Sequence, residues 1–169
     1  MIKVIVTGPE SSGKTTLCQG LAEHYRVPWL PEYARTYLEQ LDRAYQEEDL
    51  LRIAEEQVAQ EDQLAQQKPP LLVCDTSLLV IKIWGNYRYG RCHPWIEQQL
   101  AQRPVDYYLL CRPDIPWQPD PQRENPDDRD ELFVLYQNAF RAKPHTIIAG
   151  DKSARLKTAV ATIDRLLAS

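Results

Sequence analysis

The run Gly8-Pro9-Glu10-Ser11-Ser12-Gly13-Lys14-Thr15 follows directly on the apolar stretch Ile2-Lys3-Val4-Ile5-Val6-Thr7. A strand emptying into a glycine-bounded loop, with a helix behind it, is the setting that a Walker A phosphate-binding loop needs. Gly8 and Gly13 permit the backbone angles and close approach that let successive N–H groups surround a polyphosphate, and a helix over Lys14–Tyr25 points its N-terminus at the same charge. Lys14 reaches the β/γ-phosphates and Thr15 offers its hydroxyl to Mg²⁺, with Glu10, Ser11, Ser12 and Thr16 completing the cradle. ATP and Mg²⁺ are therefore expected together.

Beyond the loop, strand and helix signals alternate. Residues 27–31 form a short strand candidate fenced by prolines, and residues 49–67 place Leu50, Leu51, Ala54, Val58 and Ala65 on one helical face. Leu71–Asp75 reads as a third strand behind Pro69-Pro70, residues 106–111 as a fourth and 146–149 as a fifth, with helices over about 130–141 and 153–167. Strands separated by helices mean parallel βαβ units with right-handed crossovers. The expected fold is α/β: one P-loop NTPase domain over residues 1–169, with a five-stranded parallel sheet, helices on both faces, and a nucleoside-kinase-like lid. Strand order is not set by the sequence; other P-loop kinases suggest 2-3-1-4-5 by analogy.

Three further segments carry chemistry. Asp75 ends the third strand after four apolar residues, as a Walker B aspartate holding Mg²⁺ through water would. Pro31-Glu32-Tyr33-Ala34-Arg35 lies just past the second strand, on the side where open α/β sheets bind ligands. Glu32 is a candidate base for an attacking hydroxyl, Arg35 a candidate to steady the acceptor or the transferred phosphoryl group, and Tyr33 a substrate contact. The same residues also fit a plain helix start, with Glu32 favourable to the dipole and Arg35 solvated. Residues 112–129 concentrate prolines and charge in a loop too long to be idle in a small domain. There Arg123 and Arg129 read as cations closing over a transferring phosphoryl group, where excluding water prevents hydrolysis. Trp117, between Asp114 and Asp120, suits stacking on a flat cationic ring or anchoring of the loop to the core. Trp84, Tyr87 and Tyr89 read either as packing under the site or as substrate contacts, and residues 150–152 as an adenine contact or an ordinary turn.

Composition narrows the class. The 169 residues, 43% of them hydrophobic, suffice for one domain with a real core. A net charge of −4 offers no nucleic-acid surface. No stretch is long or apolar enough to span a membrane, and the N-terminus runs straight into the first strand, so a cytoplasmic enzyme acting on a small polar metabolite is expected. Cys18, Cys74, Cys92 and Cys111 are dispersed and read as buried free thiols, and His24, His93 and His145 lack zinc-ligand spacing. A homo-oligomer is left open.

The phosphate loop, Pro-Glu-Tyr-Ala-Arg, Cys-Asp-Thr followed by Trp84 and Tyr87-Arg88-Tyr89-Gly90, and Pro-Asp-Ile-Pro-Trp with a downstream arginine together resemble the NadR-type ribosylnicotinamide kinase family. The resemblance runs from the phosphate loop through the lid. It implies transfer of the γ-phosphoryl group of ATP to the 5′-hydroxyl of nicotinamide riboside, giving nicotinamide mononucleotide for NAD synthesis. Some members carry an adenylyltransferase domain and a DNA-binding domain in front; the position of Met1 implies the kinase part alone here. Where the family pattern often has a second acidic residue two positions after the Walker B aspartate, this chain has Ser77, which leaves room for another nucleoside acceptor and also suits a helix cap. A nucleoside-monophosphate kinase fits less well, because an acceptor phosphate calls for clustered cations and residues 32–49 offer only Arg35 and Arg43 amid acids. A regulatory ATP-binding module is the non-kinase alternative; the guanine-reading Asn/Thr-Lys-x-Asp motif is absent.

Overall fold

The computed structural model describes residues 1–120, 123 and 127–169, so positions 121, 122 and 124–126 of the expected lid lie outside the described residues. The elements are β1 (Ile2–Thr7), α1 (Lys14–Tyr25), β2 (Trp29–Leu30), α2 (Tyr33–Gln40), α3 (Glu47–Gln66), β3 (Leu71–Asp75), α4 (Leu78–Tyr89), α5 (Pro94–Gln102), β4 (Tyr107–Cys111), α6 (Arg129–Phe140), β5 (His145–Ile148) and α7 (Lys152–Leu167). All strand pairs are parallel and the order is β2-β3-β1-β4-β5, as the kinase analogy suggests. The register sets Val6 beside both Asp75 and Leu109, so β1, β3 and β4 end together at one edge.

Helices on both faces explain why β1 reads as a continuous apolar run rather than an alternating one. Val4 and Val6 face α1 and α7, packing with Leu17, Leu21, Ala159 and Ile163. Ile5 points the other way, into a cluster with Leu79 and Val80 of α4 and Phe133 and Phe140 of α6. A third cluster lies off the sheet and joins helices α2 to α5: Ala34, Leu50, Ile53, Ala54, Leu78, Ile81 and Ile96. Cys18, Cys74 and Cys111 are buried in these layers, and Cys92 is half-buried. Among the described residues, no helix is long and apolar enough to cross a membrane.

Local signals account for the helix starts. Ser77 caps α4, its Oγ accepting the Leu79 N–H at 3.3 Å, which is the capping role its position suggested. Pro94 opens α5 at a position where a missing N–H costs nothing, and His93 Nδ1 accepts the Trp95 N–H at 3.2 Å.

The junction between α2 and α3 hangs on one buried carboxylate. Asp49 accepts from Tyr37 Oη at 2.6 Å, from Arg43 Nη1 and Nη2 at 2.7 and 3.0 Å, and from the Gln46 N–H at 2.7 Å. These donors, Arg43 foremost, hold its carboxyl far below the usual carboxylate range despite the opposing pull of burial. Because the folded-state pKa is depressed, this contribution is present above the unfolded value of about 4 and is lost as pH falls below it. Asp49→Ala strands the Tyr37 hydroxyl and the Gln46 N–H, so about 2 kcal/mol of stability is expected to go. For a chain of this size that lowers Tm by about 4–8 °C at neutral pH, a gap that stays constant above about pH 4 and narrows progressively as the pH is lowered further; a gap that does not shrink on acidification would contradict the carboxylate's role.

Candidate phosphoryl-transfer site

The phosphate loop leaves β1 at the edge where the three central strands end. Gly8 has φ +142°, and a Cβ there would stand 2.6 Å from the Cys111 carbonyl oxygen, so only glycine lets the loop run against the end of β4. Gly13, at φ +80°, turns the chain into α1. Ser12 Oγ donates to the Pro9 carbonyl at 2.7 Å, and Lys14 Nζ donates to the same oxygen at 3.0 Å. Ser11 also holds a positive φ, +54°, an uncommon conformation for a residue with a side chain.

Asp75 is 1% exposed at the tip of β3. Thr15 Oγ1 donates to its Oδ2 at 2.6 Å, joining the two residues expected to hold metal. Its other oxygen, Oδ1, is buried with no hydrogen-bond partner among the described residues. An unsatisfied acceptor beside a hydroxyl and a phosphate loop fits hydrated Mg²⁺, whose water ligands would supply the missing donors. Burial pushes the Asp75 carboxyl up, while Lys14, the Thr15 hydroxyl and Arg35 pull it back in part. Thr76 follows at φ 68°, a rare conformation for a β-branched residue, with its N–H on the Val6 carbonyl at 2.8 Å.

Glu32 stands at the N-cap of α2, whose first turn is pinned by the Tyr33 N–H donating to Gln57 Oε1 at 3.2 Å. Loss of hydration raises the Glu32 carboxyl, Lys14 and Arg35 lower it, and Asp75 and Glu10 raise it again, for a net upward shift. Glu32, Arg35 and residues 8–16 line one cleft of about 450 Å³. Its lining also carries four aromatic side chains: Tyr45, Trp84, Tyr87 and Tyr136. Tyr45 and Trp84 stack at 6.4 Å between ring centres with 23° between planes, and the Arg88 guanidinium lies 4.2 Å over the Tyr45 ring.

The start of the lid is docked on the phosphate loop through Ser11. Its Oγ accepts the Gln118 N–H at 3.1 Å and Arg123 Nη1 at 3.4 Å; Arg123 also donates to the Gln118 carbonyl at 2.5 Å. Arg129 donates to the carbonyls of Ser11 at 3.2 Å and Ile115 at 2.9 Å. On the other side of α1's first turn a smaller, mostly apolar cavity of about 110 Å³ is lined by Gly13, Thr16, Gly20, Ile115, Lys152 and Leu156.

The structure thus brings Lys14, Thr15, Glu32, Arg35, Asp75 and Arg123 to one cleft or its wall, and arranges the lid differently from expectation. Trp117 does not line the cleft; its ring lies 5.5 Å beneath the Arg129 guanidinium. Asp114 and Asp120, expected to flank a ring stacked on Trp117, pair instead with Arg155 and with Arg35, the latter at 2.9 Å across the cleft. Tyr33 faces Tyr37 and the off-sheet cluster rather than the cleft. Tyr45 and Arg88 were not anticipated, and of the three aromatic residues with two open readings, Trp84 and Tyr87 line the cleft while Tyr89 packs into the off-sheet cluster. Asp151 caps α7 by accepting the Ala154 N–H at 2.8 Å, and Lys152 lines the smaller cavity.

An AAA domain family model matches residues 3–155. No curated protein sequence matches significantly. Among solved structures, NadR protein in complex with NR aligns with a TM-score of 0.74 at 19% identity, over 99% of this chain and 52% of that one. NadR in complex with NAD and AMP-PNP aligns at 0.73 and 20% identity, covering 99% and 50%. The chain therefore spans about half the length of the NadR chains it matches. Thymidylate kinase from Ehrlichia chaffeensis aligns at 0.66 and 16% identity, over 96% of this chain and 98% of that one. At these identities the likeness establishes the fold, that of P-loop nucleoside and nucleotide kinases.

Proposed function

This chain belongs to the AAA domain family, and from that premise we propose that it is an ATP-dependent, Mg²⁺-requiring kinase that phosphorylates the 5′-hydroxyl of a nucleoside, with nicotinamide riboside as acceptor. The observation that carries the acceptor is the Arg88 guanidinium 4.2 Å over Tyr45, itself stacked with Trp84. Arg88 shows that the Tyr45 face of this wall takes a flat cation, and the pyridinium ring of nicotinamide riboside, a flat cation of the same kind, would take that face in exchange for Arg88. NadR structures holding NR and NAD with AMP-PNP support both substrates.

In this reading Glu32 accepts the proton of the attacking hydroxyl, and Lys14 neutralises charge building on the β/γ-oxygens. Mg²⁺, held by Thr15 and through water by Asp75, would supply further charge neutralisation. Arg123, which lines the cleft beside Ser11, would turn to the transferring group, and Arg35 would reach it by exchanging Asp120 for phosphoryl oxygens. The small cavity beside α1 takes the adenine.

A panel of nucleosides with ATP and Mg²⁺, read by the mass of the phosphorylated product, tests the assignment. Nicotinamide riboside should give acceptor-dependent ADP and a product one phosphate heavier; ADP formation indifferent to every nucleoside would instead mark an ATPase module. Tyr45→Ala should raise the acceptor KM by about 2- to 30-fold, the worth of a cation–π contact, with the KM for ATP unchanged. Trp117→Ala should leave the acceptor KM alone; the reverse order of effects would return the base to Trp117.

A further inference from the structure

Arg155 lies on α7 and is only 4% exposed, an arginine on the buried stripe that continues through Ala159, Thr162 and Ile163. Its guanidinium joins three segments. Nη1 donates to the Ser12 carbonyl at 2.5 Å, Nε to the Gly150 carbonyl at 2.7 Å, and Nη2 to the Arg112 carbonyl at 2.7 Å while also pairing with Asp114 Oδ1. Asp114 Oδ2 in turn accepts the Gly150 N–H at 2.8 Å.

The bond to Ser12 bears on phosphate binding. Among the described residues every peptide is trans, and a planar trans amide points its C=O and N–H in opposite directions. Tying the Ser12 oxygen to a group behind the loop therefore turns the Gly13 N–H the other way, toward the cleft that Ser12 and Gly13 line. Gly13, in the left-handed region, presents little steric barrier to a flip of that peptide. A flipped Ser12–Gly13 peptide would present an oxygen to the polyphosphate where the loop needs a donor. One peptide earlier Arg129 makes the same kind of bond to the Ser11 carbonyl, turning out the oxygen whose partner N–H is that of Ser12.

We propose that Arg155 is a positioning residue that holds the phosphate loop in its polyphosphate-binding form from behind, by pinning the Ser12–Gly13 peptide. It touches no reacting atom. The proposal rests on the ATP-binding reading above, and the two fail in different ways.

The test compares the affinities of ATP and AMP, whose difference reports what the β- and γ-phosphates contribute. Wild-type protein should bind ATP more tightly than AMP; a wild type without that preference would overturn the ATP reading itself. In Arg155→Met the ATP:AMP affinity ratio should fall at least about tenfold, as expected for losing a charged hydrogen bond, and Arg155→Lys, which keeps the charge and one donor, should recover part of it. Should the methionine variant fail to fold, the lysine variant carries the comparison alone, with a partial fall expected. A folded variant whose Tm drops while the ratio stays at the wild-type value would overturn the proposal. So would equal weakening of ATP and AMP, which would place the effect in the base cavity that Arg155 also borders.

Discussion

Lys14→Ala protein should melt where wild type melts and yet transfer phosphoryl groups about 10³-fold more slowly. The side chain stands in the cleft, and its hydrogen bond in this structure is one donated to the Pro9 carbonyl, an oxygen that Ser12 Oγ also serves. Little folded-state stability depends on it. Its charge, in contrast, is the largest influence lowering both Glu32 and Asp75. Removing it deprives the transition state of a cation and lets both carboxyls shift further toward the protonated form, so base and metal ligand suffer together. Thermal melting and acceptor-dependent ADP release on the same preparation check this. Near-native turnover from a folded Lys14→Ala protein would mean that the Gly8–Thr15 loop does not hold the reacting phosphates.

Glu32→Gln is expected to lower kcat by about 10²-fold, the usual worth of a positioned base, and to leave ATP affinity nearly unchanged. Glutamine keeps the size of the side chain at the N-cap of α2, where no side-chain cap bond exists to be lost. The upward shift of the Glu32 carboxyl adds a second signature. Below its pKa the group is protonated and cannot accept a proton, so wild-type kcat/KM should rise with pH through a value above the ordinary carboxylate range, and the glutamine variant should lack that limb. Parallel loss of ATP binding would assign Glu32 to the architecture of the cleft.

The parts legible in the sequence are those whose determinants are local. β1, the loop and α1 follow from glycine placement and an apolar run, and β3 is bounded by Pro69-Pro70 on one side and Asp75 on the other. Of helix α4 only the Ser77 cap was legible, not its extent, because it packs between two clusters: Leu79 and Val80 face the sheet while Leu78 and Ile81 face α3 and α5, which erases the one-sided periodicity that marks a surface helix. Trp84 and Tyr87 were legible as possible contacts, but Tyr45 and its stacking were not, because Tyr45 comes from the α2–α3 connection and Trp84 from α4, residues brought together only by tertiary packing. Trp117 invited a ligand because nothing nearby in sequence explained it; its partner, Arg129, lies twelve positions on and is held by its bond to the Ser11 carbonyl. Arg155 did leave a trace, since an arginine in register with Ala159, Thr162 and Ile163 breaks the apolar stripe of an amphipathic helix, and a buried guanidinium must find acceptors.

The off-sheet cluster gives part of the cleft a foundation outside the sheet. Ala34, Leu50, Ile53, Ala54, Leu78, Ile81 and Ile96 pack among helices, whereas the phosphate loop hangs from strand ends rooted in the two sheet-facing cores. Helix α4 belongs to both, with Leu79 and Val80 on the sheet, Leu78 and Ile81 among α3 and α5, and Trp84 bordering each. Under the proposed kinase reading, substitutions on α2 and α3 can therefore reshape the acceptor pocket while the phosphate loop keeps its strand-end frame, whereas substitutions on α4 are felt on both sides.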